Sequence, residues 1–159
     1  LVGLQGTVMG EMQHSVEALS PITLCVFERG RLNSLFGDHP SLAYDITWIA
    51  ASEERMLDSH LLSVGRRTAL ERAAYLLALL HNKAVRVGLM EKDGPIPVTQ
   101  QHVADTLGLS IVHTNKTLRK LADKGLIRWT DKGCIVLDAT GLAQIASWEP
   151  DLRNLRPFI

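Results

Sequence analysis

Apolar positions change period several times along this chain, and each change predicts an element. Behind Thr99, a natural N-cap, Val103, Ala104 and Leu107 recur at helical spacing. Gly108 supplies the backbone freedom of a tight turn, Leu109 plugs the space between two helices, and Ser110 can cap the second. That second helix is expected to carry Val112, Leu118 and Leu121 inward and to leave His113, Asn115, Lys116, Arg119 and Lys120 on its other sides. Two short helices with a small residue in the first and a glycine at the turn form a helix-turn-helix pattern. After Gly125, Leu126 to Thr130 reads as a strand, Asp131-Lys132-Gly133 as turn chemistry, and Cys134 to Leu137 as the returning strand. A β-hairpin directly after a helix-turn-helix is the wing of a winged helix.

Upstream the pattern differs. Residues 1 to about 30 alternate short apolar runs with turn signals. Val16 and Ala18, then Ile22, Leu24, Val26 and Phe27, are strand candidates on either side of Ser20-Pro21. A short helix is expected around Leu32 to Phe36. Asp38-His39-Pro40 then opens a long one, with proline near the first turn, where its missing N–H costs nothing. Leu42, Ile46, Ile49, Met56, Leu57, Leu61 and Val64 make a narrow seam of threes and fours that needs a partner, as in a coiled coil. The partner is a second copy of the chain or its own β-domain. Glu53 and His60 interrupt the seam, either fixing register or facing solvent.

Gly65-Arg66-Arg67 breaks the seam as a hinge, and Thr68 can cap a helix with Leu70, Ala73, Ala74, Leu77 and Leu80 on one face, ending near Asn82. Arg66, Arg67 and Arg72 are either solvated or close to DNA. Residues 83–95 form a connection rich in glycine and charge, and Ile96-Pro97-Val98 is a short strand. Gly141 to Trp148 can form a last helix ended by Pro150, with a loosely held tail to Ile159. The expected class is α+β. A β-rich segment (residues 1–37) is followed by a dimerisation helix (38–64) and a winged helix-turn-helix (65–150).

Composition narrows the function classes. No apolar run is long enough to span a bilayer, and Leu1-Val2-Gly3-Leu4 is too short and uncharged for a signal peptide. A chain opening on Leu1 in strand-like sequence reads as a fragment whose beginning is missing. Formal net charge is zero, yet the second helix and wing hold more Lys and Arg than Asp and Glu, and local charge is what meets a phosphate backbone. Cys25 and Cys134 form no CxxC and sit in apolar runs, as buried free thiols of a reducing cytoplasm would. The histidines show no HExxH, and no GxSxG, P-loop or dinucleotide fingerprint is present. An enzyme is not expected, nor a metal or cofactor. The residue types on the second helix suit phosphates and base edges in a major groove. The alternative is a winged helix used only for protein contacts.

The element order and local motifs resemble the CRP/FNR family of bacterial transcription regulators. Ser15-Val16-Glu17-Ala18-Leu19 and Leu24-Cys25-Val26-Phe27 look like the last strands of that family's β-roll, the cyclic-nucleotide-binding-like effector domain. Gly65-Arg66-Arg67-Thr68-Ala69-x-Glu71-Arg72 is similar to its hinge, and Val98-Thr99-Gln100-Gln101 with Leu107-Gly108-Leu109-Ser110 to its DNA-binding helices. The resemblance implies a homodimer on a palindromic operator, with about half of the effector domain absent. It places Thr99, Gln101 and Ser110, with Gln100 beside them, at phosphates. Base reading falls to Ile111, Val112 and Lys116, with His113 and Asn115 adjacent, and backbone contact to Arg119 and Lys120.

The chain departs from the best-known members, which carry an acid where Val112 stands and an arginine at Lys116. Its His113-Thr114-Asn115-Lys116 run resembles FixK-like regulators instead. Gly3-Leu4 and Met12-Gln13 stand where cyclic-AMP-binding members have ribose- and phosphate-holding groups, and neither pair offers that chemistry, while Gly10-Glu11 echoes a pocket motif out of place. The resemblance therefore implies no cyclic-nucleotide binding, and it makes the 88–95 loop a candidate contact for RNA polymerase.

Overall fold

The computed structural model describes residues 2–90 and 93–149. Their elements run α1 (Leu4–Met9), α2 (Arg31–Asp38), α3 (Pro40–Arg66), α4 (Ala69–Arg86), β1 (Pro95–Ile96), α5 (Gln100–Leu107), α6 (Ile111–Asp123), β2 (Ile127–Thr130), β3 (Gly133–Val136) and α7 (Ala139–Ile145). The chain divides into two compact units with the boundary between Asp58 and Ser59. The expected features at Glu91, Lys92 and Pro150 and in the tail to Ile159 lie outside the described residues.

In the first unit the strand expectation fails. Residues 2–58 hold helices and irregular backbone, and no strand forms at Val16, Ala18, Ile22, Leu24, Val26 or Phe27. A strand persists only when its N–H and C=O groups pair with a neighbour, and these residues find none. Val26 is 89% exposed and Phe27 52%. Cys25 is exposed as well, against the expectation of a buried thiol. The β-rich reading of residues 1–37 is replaced by two short helices, of which α2 matches the one expected at Leu32 to Phe36 and buries Leu32.

The long helix forms as α3, with Pro40 as its first residue. The expected seam is uneven in its burial. Ile46 is buried and Leu42, Ile49 and Met56 are half-buried, whereas Leu57, Leu61 and Val64 stand 62%, 74% and 51% exposed.

The second unit carries one continuous core. α4 is stopped from fraying at its start by a reciprocal cap. Glu71 N–H donates to the Thr68 hydroxyl, and Thr68 N–H donates to the Glu71 carboxylate at 2.7 Å. Those bonds hold the Glu71 carboxyl below its ordinary pKa. The helix continues to Arg86, one turn past the expected end. Its inner face includes Ala73, Ala74 and Leu77, all fully buried, and the alanines let neighbouring helices approach closely. Burial of a leucine such as Leu77 contributes about 2 kcal/mol. Val103, Leu107, Leu118, Leu121, Ile127, Cys134, Val136 and Leu142 complete the core. Burial pushes the Cys134 thiol up to about 12, so it stays protonated and is a poor nucleophile.

Tyr75 organises the approach from α3 to this core. It is 2% exposed. His60 meets its ring edge-on at 5.4 Å, Trp148 meets it edge-on at 5.8 Å, and the Arg67 guanidinium lies 4.5 Å over its face. Arg72 Nε donates to the Arg67 carbonyl at 2.9 Å. Arg67 and Arg72 are therefore tied into the packing beside the hinge rather than merely solvated. His60 faces inward as well, and burial together with the Lys83 charge lowers its pKa.

Candidate nucleic-acid interface

α5 and α6 are each set by a short polar side chain at the N-terminus. Thr99 accepts from His102 N–H at 3.1 Å, while His102 Nδ1 accepts from Thr99 N–H at 3.2 Å. Ser110 accepts from His113 N–H at 3.3 Å. Each capping hydroxyl keeps its own proton and so remains a donor toward an anion. Between the helices Gly108 adopts φ 63°, ψ 36°, the left-handed conformation the turn demands. Leu109 is half-buried and packs on the core, as its plug role requires.

The inward stripe of α6 is only partly the expected one. Leu118 and Leu121 are buried as expected, whereas Val112 is 62% exposed and Thr114 and Thr117 are buried in its place. The reason is helical spacing. Those four positions advance by three, one and three residues and stay on one side, which Val112 leaves. Thr117 meets the cost of burial by donating to the His113 carbonyl at 2.9 Å. The Thr114 hydroxyl is buried with no hydrogen-bond partner.

Opposite this stripe, Val112, His113, Lys116, Arg119 and Lys120 share the outward arc of α6, with Asn115 at its edge, and all are exposed. Ile111 is 37% exposed. Gln101 is exposed and its amide donates to Asp105 Oδ1 at 2.7 Å, while Gln100 is half-buried. No carboxylate occurs from Ser110 to Ala122. Between Ser110 and Lys132 the cations Lys116, Arg119, Lys120, Lys124, Arg128 and Lys132 stand against Asp123 and Asp131 alone.

The wing follows as expected, with its register now fixed. β2 pairs antiparallel with β3, Ile127 opposite Val136 and Thr130 opposite Gly133. β1 pairs with the other edge of β3, giving the order β1-β3-β2. The strand expected at residues 96–98 is limited to Pro95–Ile96. Along β2 the side chains alternate, Ile127 inward and Arg128 outward. That alternation was the available signal for Arg128, a cation beside α6 that the motif reading did not single out. Among the described residues, no group of three or more His, Cys, Asp or Glu side chains could hold a metal ion, and no helix is long and apolar enough to cross a membrane.

Residues 71–145, from the first turn of α4 to the end of α7, match the Crp-like helix-turn-helix domain. The chain is 27% identical over 138 residues to the nitrogen fixation regulation protein FixK of Bradyrhizobium diazoefficiens, covering 87% of this chain and 58% of that one. The matched segment is a Crp-like helix-turn-helix domain, and the chain is similar to regulators of the CRP/FNR type. It is also 27% identical over 143 residues to the transcriptional activator protein FnrL of Cereibacter sphaeroides, covering 87% of this chain and 58% of that protein. Against FixK of Rhizobium meliloti it is 32% identical over 120 residues, 72% of this chain and 49% of that one. The chain thus spans about half the length of these relatives. The fold agrees with that of FixK2 from Bradyrhizobium japonicum, at a TM-score of 0.64 and 24% identity, over 77% of this chain and 60% of that structure. The Crp-like match takes in the whole wing and both helices of the helix-turn-helix.

Proposed function

We propose that this chain is the DNA-reading part of a transcription regulator that binds a palindromic operator as a homodimer. The observation that carries the reading is the outward arc of α6, exposed, free of carboxylates and rich in hydrogen-bonding and cationic side chains. In this reading α6 lies in a major groove. His113, Asn115 and Lys116 read base edges, and Ile111 and Val112 offer methyl groups to thymine. Thr99, Gln100, Gln101 and Ser110 hold phosphates at helix N-termini, as Arg119 and Lys120 do from the helix side. The names of the relatives, a nitrogen fixation regulation protein and a transcriptional activator protein, agree with this role.

The dimer reading rests on an inversion in the last turns of α3. Ser63 is buried and His60 half-buried, yet Leu57, Leu61 and Val64 face outward. A helix that turns polar residues inward and leucines outward has an apolar face to cover. A second α3 covers it, with Leu42, Ile46, Ile49 and Met56 continuing the seam. Two-fold symmetry then spaces the half-sites about one helical turn apart. The roles assigned to residues 38–64 and 65–150, a cytoplasmic setting and a contact between the 88–95 loop and RNA polymerase belong to the same proposal. The test is selection from random duplexes. Retention of a palindromic consensus supports the reading, and retention of none, even at low salt, returns the chain to a protein-contact module.

A further inference from the structure

A groove of about 570 Å³ opens between α6 and β2, beside the N-terminus of α5. Its floor is apolar, formed by buried Leu118 and Ile127, half-buried Trp129, and Leu137, which remains 52% exposed. Its rim is cationic and comes from two separate elements, Arg119 on α6 and Arg128 on β2. Neither arginine has an ion-pair partner among the described residues, and no carboxylate lines the groove. Gln100 and Asn115, both already placed in the interface, line it too, so groove and interface are one continuous surface.

We propose that this groove seats a stretch of the duplex's sugar–phosphate backbone, with one phosphate held between Arg119 and Arg128 and a deoxyribose laid on Trp129 and Leu137. The inference rests on the DNA-binding reading and adds the wing strand to it. Charge selects the occupant. Two unpaired guanidiniums over an apolar floor repel a basic peptide and suit a chain that alternates anionic phosphates with apolar sugar faces. Arginine presents a planar fork that a phosphate oxygen pair can meet bidentately. Arg128 is then a positioning residue. It fixes how deeply α6 sits in the groove of the duplex and carries no sequence information itself.

The experiment measures affinity for a duplex retained by the wild-type chain, and for a scrambled duplex, at several salt concentrations. Wild type, Arg119→Gln, Arg128→Gln and the double variant are compared. Arg128→Gln is expected to weaken binding to both duplexes by the same factor and to reduce the salt slope by about 1. Between about 50 and 200 mM salt, one lost phosphate contact makes the variant's affinity fall about threefold less than the wild type's. If both arginines hold one phosphate, the double variant loses less than the product of the single losses. Leu137→Asp, at an exposed position of the floor, weakens binding without altering the fold. An Arg128→Gln chain with wild-type affinity and slope overturns the groove assignment while leaving the DNA reading intact. A wild-type chain that binds no duplex at low salt overturns both.

Discussion

Gly133 and Ile96 approach so closely that a β-carbon on the glycine would overlap the isoleucine carbonyl oxygen. Gly133 also holds φ at 129°, a conformation that side chains other than glycine's rarely adopt. Both facts sit where β1 pairs with β3, so this glycine joins the wing to the strand that leads into α5. Gly133→Ala is expected to destabilise the winged helix by at least about 2 kcal/mol, from backbone strain and the backbone clash together. Thermal unfolding checks it, and an unchanged midpoint would show that β1 does not need to lie against the wing.

Thr114→Val is expected to do the opposite. Its hydroxyl is fully buried without a partner, and valine has nearly the same shape without the polar group. Removing the unsatisfied group stabilises the chain by about 1 kcal/mol. Denaturant midpoints at constant m-value provide the measurement. A loss of stability would mean that the Thr114 hydroxyl is paired in solution.

On the proposed reading, Lys116 and Thr99 separate base reading from phosphate holding. Lys116→Ala is expected to relax sequence preference at one operator position, at a cost of about 1–3 kcal/mol for the preferred base pair. Thr99→Ala removes a helix cap and, on the proposed reading, a phosphate donor. It should lower stability by about 1 kcal/mol and weaken binding evenly across sequences. Binding of both variants to a panel of single-base operator changes distinguishes them, and equal losses on every sequence would remove Lys116 from base reading.

His60 predicts a dependence on pH. Burial, then the Lys83 charge, lowers its folded pKa below 6.5, so the unfolded chain binds the proton more readily. The contribution is fully present above the unfolded pKa and is lost as pH falls through the window below 6.5 toward the folded value. His60→Phe keeps an aromatic ring against Tyr75 and removes the titration. Wild type should lose stability relative to that variant between about pH 7 and pH 5. Parallel pH profiles for the two proteins would show that His60 is solvated.

The sequence was most legible where signals are local. Thr99, Gly108 and Ser110 each act within a few residues, so the helix-turn-helix and its turn follow from the pattern, and Asp131-Lys132-Gly133 announces the wing in the same way. In the first unit Ile22, Leu24 and Val26 have strand propensity but no neighbour to pair with, and pairing is non-local. Val112 reads as inward because it is apolar, yet it is exposed. Thr114 and Thr117 take that side because helical spacing outranks residue type, and Thr117 offsets its polarity with a bond to the previous turn. The Tyr75 cluster is not legible in the pattern, since it joins side chains on either side of the Gly65–Arg67 break, His60 and Tyr75, with Trp148 from the far end of the unit.

The central claim is that two copies of α6 read one palindromic duplex. The most direct measurement is a binding titration of wild type and Leu61→Glu against the selected operator at two salt concentrations, with the mass of each complex determined alongside. The account predicts two chains per duplex for wild type and a steep loss of affinity with salt. For Leu61→Glu, with a charge placed on the exposed face of α3, it predicts a monomer and weak binding. Wild-type affinity and unchanged stoichiometry in Leu61→Glu would contradict the dimer, and salt-independent binding would contradict phosphate contact.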